Sequence, residues 1–143
     1  MERYALRVSS AVHRATMKAE WLKEHLVGVG AMLPFSFVFD GRTSDKLLPG
    51  WTRTTRTMPL DAACTQHTST WSDPKGGLEV RCVAVDYADH PAVEWTVYFR
   101  NNKSAKDTPI LENIQGLDAW FDCGEKGEFV LPIFYSTLLQ LSL

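Results

Sequence analysis

The sequence predicts a mainly β protein, an antiparallel β-sandwich with an amino-terminal α-helix. The first observation is segment 78–100, where two runs of alternating β-branched and aromatic residues flank the turn-like residues 88–91. Alternation with period two is typical of strands with one buried and one wet face. The second is that turn residues recur at short intervals along the chain, as in sandwiches. The third is a helical apolar pattern confined to the first 26 residues.

The amino-terminal helix is predicted from apolar residues that recur at spacings of three and four. At 3.6 residues per turn these residues fall in one stripe, and the charged residues lie outside it. The stripe consists of Tyr4, Val8, Ala11, Ala15, Ala19, Leu22 and Leu26. Gly28 and Gly30 are predicted to end the helix in left-handed backbone conformations. Residues 1–30 are therefore assigned to the helix, whose stripe would dock on a sheet or on a second copy of itself.

The sandwich is predicted to span residues 31–131. Alternating side chains and the turns between them place strands at 35–39, 51–57, 65–72, 78–87, 92–100, 109–116 and 128–131. Asp40-Gly41 supplies a tight turn after the first of these strands. Segment 51–57 is polar on both faces, which is typical of an edge strand or of a strand covered by another subunit. Its arginines would discourage unwanted pairing with strands of other proteins.

The carboxyl-terminal segment differs from the rest of the chain. Residues 130–143 carry no charge, and residues 132–143 are assigned to an apolar tail outside the sandwich. Such a tail would promote aggregation in water unless its apolar side chains are buried, either on the sandwich or against a second copy of the chain. Together with the helix stripe, it predicts a homodimer.

Composition excludes several classes of function. A formal net charge of -2 and the absence of a dense basic run argue against nucleic acid as a partner. No apolar run reaches the ~18 residues of a membrane span, and no signal peptide is evident, so we expect a soluble, cytoplasmic protein without membrane contact. Cys64, Cys82 and Cys123 show neither metal-ligand spacing nor a redox pair and are interpreted as free thiols. No metal and no cofactor is expected.

Candidate chemistry is sparse. None of His13, His25, His67 and His90 stands in a recognised catalytic spacing, although a triad can be assembled from distant parts of a chain. Glu112 is predicted to face solvent from its strand. No catalytic residue is therefore assigned.

The aromatic residues offer a binding hypothesis. Trp51 and Trp71 lie in threonine-rich surroundings and are predicted to be partly exposed, which makes them candidate substrate-binding residues, since flat aromatic faces stack on pyranose rings. Trp51 is the better candidate of the two, for a sugar contact or a subunit contact, and ordinary edge packing is the alternative. Trp95, which alternates with valines, is interpreted as a core residue.

Three strings carry a resemblance to a known family. LPFSFVFDGRTSDKLLPGW, GGLEVRCVAVDYADHPAVEWTVYFRNN and DTPILENIQGLD resemble the amino-terminal domain of bacterial alpha-galactosidases of the melibiase type, glycoside hydrolase family 36, over residues 21–131. The resemblance implies a supersandwich of the galactose-mutarotase type. It also implies that hydrolysis is performed by two aspartates on a (β/α)8 barrel that follows this domain in the family.

Such a barrel needs about 250 residues, whereas twelve residues follow Leu131. The resemblance therefore implies a non-catalytic scaffold or assembly domain, truncated before its barrel by a frameshift or a premature stop. A free-standing carbohydrate-binding module for galactosides is the alternative, and a small hydrolase in its own right is a third hypothesis.

Overall fold

A computed structural model describes residues 15–102 and 107–119 of the chain. These residues form an amino-terminal helix and two antiparallel sheets, which confirms the predicted mainly β sandwich with an amino-terminal helix. The strands are β1 (Ser36–Phe39), β2 (Arg42–Thr43), β3 (Thr52–Pro59), β4 (Cys64–Ser72), β5 (Leu78–Tyr87), β6 (Val93–Asn101) and β7 (Leu111–Gln115). The large sheet has the order β3-β4-β5-β6, and the small sheet has the order β2-β1-β7.

Two helical segments accompany the strands. Helix α1 covers residues 15–22 and continues into a π-helical turn, Lys23–Val27. Helix α2 (Ser44–Leu47) is a single turn, followed by a 3-10 turn, Leu48–Gly50. No helix within the described ranges is long and apolar enough to cross a membrane.

The predicted β5–β6 hairpin is confirmed. The two strands pair from Leu78 opposite Asn101 to Asp86 opposite Val93. Alternate side chains of β5 form the buried face of the large sheet, called the inner face here: Leu78, Val80, Cys82 and Ala84 are 4%, 0%, 3% and 2% exposed. The period-two signal in the sequence therefore reports this burial directly.

The strand boundaries agree closely with the sequence pattern. Six of the predicted strands are present with ends within two residues of those expected, and the strand predicted at 128–131 lies outside the described residues, as does the tail 132–143. Strand β2 and helix α2 were missed, because two and four residues are too short to show a period. The turn between β1 and β2 is Asp40-Gly41, as predicted, and both residues have positive φ, 52° and 69°.

The orientation of helix α1 differs from the predicted stripe. Ala15 and Ala19 are exposed, whereas Leu22 and Leu26 are buried as expected. The helix instead faces the large sheet with Lys18 and Trp21, because the bulky indole buries more apolar surface than an alanine methyl group does. Residues 4–14 of the predicted helix lie outside the described ranges.

The helix end confirms one glycine prediction and corrects the other. Gly30 is left-handed with φ 71°, as expected. Gly28 has φ -65°, so it is not needed for its backbone angles. A Cβ atom at Gly28 would lie 2.4 Å from the Lys23 carbonyl oxygen, to which the Gly28 N–H donates at 2.8 Å. Glycine is therefore needed at position 28 because a side chain would clash with the Lys23 carbonyl oxygen, and not because the backbone is left-handed there.

The small sheet packs on the large one through perpendicular aromatic pairs. Phenylalanines from the small sheet and the segment before it meet tryptophans and a phenylalanine of the large sheet and its entry loop, an arrangement favoured by the ring quadrupole. The centroid distances are 6.1 Å for Phe35–Trp71, 5.2 Å for Phe37–Phe99 and 6.0 Å for Phe39–Trp51. These pairs form one half of the core, and helix α1 covers the other half.

Candidate functional site

A cleft of about 1110 Å³ opens between the two sheets beside the edge strand β3. Its floor comes from β1, β3 and β4, and its walls come from β7, helix α2 and the loop at residues 29–33 that follows helix α1. The loop wall carries Val29 and Met32, which are 105% and 72% exposed. The cleft therefore combines an aromatic floor, a polar wall and an exposed aliphatic lip.

Both sequence-predicted tryptophans line this cleft, but their predicted exposure is wrong. Trp51 is 9% exposed and Trp71 is 3% exposed. Trp51 packs edge-on against Phe39, and Trp71 packs edge-on against Phe35. The cause is the cover that residues 35–39 provide from the small sheet, which the local threonine-rich sequence does not reveal. Their role as sugar contacts stays a prediction.

Arg53 occupies the cleft beside Trp71. Its guanidinium carbon lies 5.1 Å from the indole centroid, so one face of the Trp71 ring is already covered by a cation. Arg53 Nη2 also donates to Ser69 Oγ at 3.0 Å. Burial lowers the pKa of Arg53 from its usual value, because a partly desolvated cation loses hydration.

The same guanidinium caps the end of helix α1. Nη1 donates to the Gly28 carbonyl oxygen at 2.7 Å, and Nη2 donates to the carbonyl oxygens of Leu26 and Val27 at 3.0 and 3.4 Å. A helix end leaves carbonyl groups without intrahelical partners, and a cation there also meets the negative end of the helix dipole. Arg53 therefore joins α1, β3 and β4 in one contact.

Strand β3 is the predicted edge strand. It is the outermost strand of the large sheet, and most of its residues are exposed on both faces. The expectation that its arginines guard the edge is only half right. Arg56 is exposed, but Arg53 turns inward to the helix end.

The polar wall consists of side chains held by local backbone geometry. Ser44 is buried and its Oγ accepts a hydrogen bond from the Phe37 N–H at 3.3 Å. The Thr43 hydroxyl lowers the pKa of the exposed Asp45 by hydrogen bonding. Asn113 is left-handed with φ 49°, where the β1–β7 register shifts. The full polar lining is Ser36, Thr43, Ser44, Asp45, Arg53, Thr55, Asn113, Gln115 and Asp118.

A second polar group lies on the inner face near helix α1. Lys18 Nζ is 2.7 Å from Asp86 Oδ1 and also donates to the Tyr87 carbonyl oxygen. His67 Nδ1 lies 3.0 Å from Thr57 Oγ1. Burial lowers the pKa of His67, and the Asp86 carboxylate opposes this to a smaller extent. None of the described histidines, His25, His67 and His90, lines the cleft.

The remaining candidates are scattered over the fold. His25 stacks on Trp21 with centroids 4.6 Å apart, and His90 pairs with Asp89 in a surface turn at 2.9 Å. His13 lies outside the described residues. Glu112 is exposed, as predicted.

Trp95 is half-buried against the core, and its Nε1 donates to the Gly116 carbonyl oxygen at 3.0 Å. Its interpretation as a core residue is therefore correct in position, although its ring is not fully enclosed.

The described thiols are free. Burial raises the pKa of Cys82 to about 12, although the Arg53 cation opposes this rise. Cys64 is half-exposed, and its pKa is raised by desolvation and then by the neighbouring Asp61. Cys123 lies outside the described residues. Within residues 15–102 and 107–119, no group of three histidine, cysteine or acidic side chains could hold a metal ion.

Sequence reasoning missed the residue that organises this site. Arg53 was interpreted as a charge that prevents pairing at the sheet edge, because the sequence around it does not indicate that the end of helix α1 packs against it. The polar wall was missed for the same reason, since Asp45 comes from helix α2, Asn113 from the middle of β7 and Asp118 from the segment after β7.

Comparisons with known proteins add no relative. No protein-family model matches the chain, and no curated protein and no solved structure matches it. The resemblance to the family 36 alpha-galactosidases therefore stays a prediction.

Proposed function

We propose that this chain is a non-catalytic β-sandwich scaffold, related to the front domain of the family 36 alpha-galactosidases, that supports a neighbouring domain or subunit. The observation that carries the proposal is the lip of the cleft. Val29 is fully exposed and Met32 is 72% exposed at the mouth of the cleft, beside the open edge strand. Clustered exposed aliphatic side chains of this kind are typical of protein-facing surfaces.

The use of the aromatic side chains supports the same proposal. A sugar-binding platform needs an open ring face, whereas Trp71 is covered by Arg53 and Phe35, and Trp51 packs on Phe39. These rings stabilise the contact between the sheets. The rings of Trp51 and Trp71 therefore have a structural role in the core and offer no open face to a ligand.

A cytoplasmic setting belongs to this proposal. The buried Cys82 thiol, whose pKa is about 12, packs as a small apolar side chain among Val80 and Ala84. Free cysteines used in this way are common in reducing compartments.

The test of the scaffold proposal is an assay of the pure full chain with a chromogenic alpha-galactoside. We expect release of chromophore no faster than in a heat-denatured sample of the same protein. Turnover that is lost on denaturation would overturn the proposal, because a scaffold has no chemistry to perform.

A carbohydrate-binding module is the second candidate function. It is favoured by one observation, namely that Trp51 and Trp71 line the same cleft as Asn113 and Gln115, so aromatic and amide groups converge there as they do in many sugar sites. This hypothesis predicts saturable heat on titration with galactose or raffinose.

The variant Trp51→Phe separates the two candidates, since it retains an aromatic packing partner for Phe39 but removes the indole. Thr55→Val, on the exposed part of the cleft lining, serves as a second variant that does not touch the core. Under the scaffold proposal the sugar titration is silent for the wild type and for both variants. Saturable heat from the wild type that both variants weaken would favour the binding module.

A further inference from the structure

We propose that strand β3 pairs with β3 of a second copy of this chain, antiparallel and about a two-fold axis at Thr55, so that the two large sheets become continuous. This inference deepens the assembly role in the proposed function and assigns it a surface. It rests on the open edge of β3, on the way this edge is protected, and on the charges that each possible register would bring together.

The first step is the edge itself. Strand β3 pairs with β4 along one side and with no other strand among residues 15–102 and 107–119. The other side of its backbone offers a row of N–H and C=O groups for another strand. Its eight residues extend over about 27 Å at about 3.4 Å per residue. That length suffices for a full ladder with an identical partner.

The second step is that β3 is poorly protected against pairing. Edge strands are commonly blunted by bulges, prolines or outward charges. The β3–β4 register runs without a shift from Thr52 opposite Ser72 to Pro59 opposite Thr65, and the proline stands at the last position. Arg53 is bound to helix α1, so the charge of Arg56 alone points outward.

The opposite edge of the large sheet, strand β6, is better protected by charge. It carries two exposed charged residues, Glu94 and Arg100, and its inner-face Trp95 is tied to the small sheet, because Nε1 donates to the Gly116 carbonyl oxygen at 3.0 Å. The third candidate edge, β7, carries a register shift and the left-handed Asn113. Bulged strands pair poorly with a newcomer. This comparison selects β3.

The third step fixes the register. Directly opposed residues of an antiparallel pair point to the same face, so the two-fold axis must pass through a residue. Axes at Thr55 and at Arg56 give the longest overlaps, over residues 52–58 and 53–59. The axis at Arg56 places two like charges directly opposite each other, which is destabilising. The axis at Thr55 places Arg56 opposite Thr54 of the partner subunit and brings no like charges together.

A cysteine pair tests the register directly. With the axis at Thr55, the two copies of this residue have Cα atoms about 4.5–5.5 Å apart, which lies within the range of a disulfide. Thr55→Cys is expected to give a covalent dimer under mild oxidation. Thr57→Cys is the matched control, because its two copies are offset by about four residues, roughly 13 Å along the strands, and should stay monomeric on a non-reducing gel.

A charge pair tests the same register without covalent chemistry. Thr54 is exposed and lies on the outer face, opposite Thr70 of β4. Thr54→Lys places a lysine against Arg56 of the partner subunit at two symmetric positions, and Thr54→Glu places a carboxylate there. Each opposed pair contributes up to about 1 kcal/mol, so Kd for the dimer should differ by roughly tenfold or more between these variants.

Sedimentation velocity over a range of concentrations measures these constants for the full chain. The expected result is a wild-type dimer that Thr54→Lys weakens and Thr54→Glu strengthens, with equal melting temperatures for the two variants when both are monomeric. A wild type that stays monomeric would overturn the proposal. A dimer that ignores both Thr54 variants and the Thr55→Cys disulfide would also overturn it, because another surface would then hold the copies together. Neither outcome touches the scaffold proposal, which depends on the galactoside assay.

Discussion

Strands β5 and β3 belong to one sheet and contribute to the same inner face, yet the side chains they place there are opposite in character. Strand β5 contributes Val80, Cys82 and Ala84, all buried, whereas β3 contributes the polar residues Arg53 and Thr55 at corresponding positions. One strand, β4, separates them, a distance of about 10 Å. The chemistry of the face therefore changes over the width of two strand spacings.

The difference shows that the packing of other elements over the inner face of a strand determines whether that face is apolar or polar. Strand β5 lies beneath the small sheet and helix α1, so its inner residues are removed from water. Strand β3 lies at the open edge, where the cleft admits water, so polar side chains there keep more of their hydration than they would on β5. The two strands thus mark the enclosed and the open ends of one surface.

The largest expected effect comes from placing one carboxylate at each end of this surface. Val80→Asp buries an unpaired charge at a position that is 0% exposed, and should reduce the free energy of unfolding by roughly 3–5 kcal/mol or abolish folding. Thr55→Asp adds the same group to the open end and, at a protein concentration low enough for the chain to be monomeric, should change the free energy of unfolding by less than about 0.5 kcal/mol. Urea unfolding measures both. Equal losses would show that the cleft is enclosed and that the comparison fails.

An intermediate effect is expected from the two arginines of β3. Arg53→Met removes charged hydrogen bonds to Gly28, Leu26 and Ser69 while retaining an aliphatic stem over Trp71, and should cost about 2 kcal/mol. Arg56→Met removes an exposed side chain that contacts Met58 Sδ at 3.7 Å, and should be nearly neutral. Thermal unfolding of the two variants would contradict this account if their melting temperatures coincided.

The thiols should show the same contrast in reactivity. Cys82 is 3% exposed and its pKa is raised by burial to about 12, so it holds almost no thiolate at pH 8 and should resist alkylation in the folded protein. Cys64 is half-exposed and should react first. Iodoacetamide labelling followed by peptide mass mapping measures each site separately. Labelling of Cys82 as fast as Cys64 under native conditions would refute the enclosed position of β5.

The smallest effect concerns pH and His67 on β4, between the two strands. Burial lowers the pKa of His67 in the folded protein below its ordinary value of 6.5, so the unfolded chain takes up a proton first as the pH falls. Stability is therefore full above about pH 6.5 and declines below it. His67→Gln should reduce this acid-side decline, as measured by melting temperature between pH 7 and pH 5. His90→Gln, in an exposed turn, is the control, and equal effects of the two changes would contradict the assignment.

The strands at both ends of this surface could be predicted from sequence, including the edge strand β3, whereas the side-chain contacts at the open end could not. The β5–β6 hairpin was found because the burial of each residue is visible in its own alternation and the turn lies between the strands. The burial of Trp51 and Trp71 was missed, since their cover comes from Phe39 and Phe35 of a different segment. Arg53 was misjudged for the same reason. Its backbone acceptors Leu26, Val27 and Gly28 precede it in the chain by 25 to 27 residues.

The homodimer stays a prediction, and the edge of β3 is the surface that we propose for it. Ala15 and Ala19 do not pack on the sheet, because they stand exposed while larger side chains of α1 face the core. Docking of these alanines on a second copy is not tested by this exposure and also stays a prediction. The contribution of residues 132–143 to assembly stays a prediction.

The π-helical turn at Lys23–Val27 has a consequence for how this fold could tolerate change. A π turn inserts one extra residue into an α-helix. It therefore determines which side chains of the preceding residues 15–22 face the large sheet. Deleting Glu24 would restore the regular spacing and rotate residues 15–22 by about 100° around the helix axis. Lys18 would move away from Asp86, and a different set of side chains would contact the large sheet. Deleting this one residue would therefore change which face of residues 15–22 packs on the sheet.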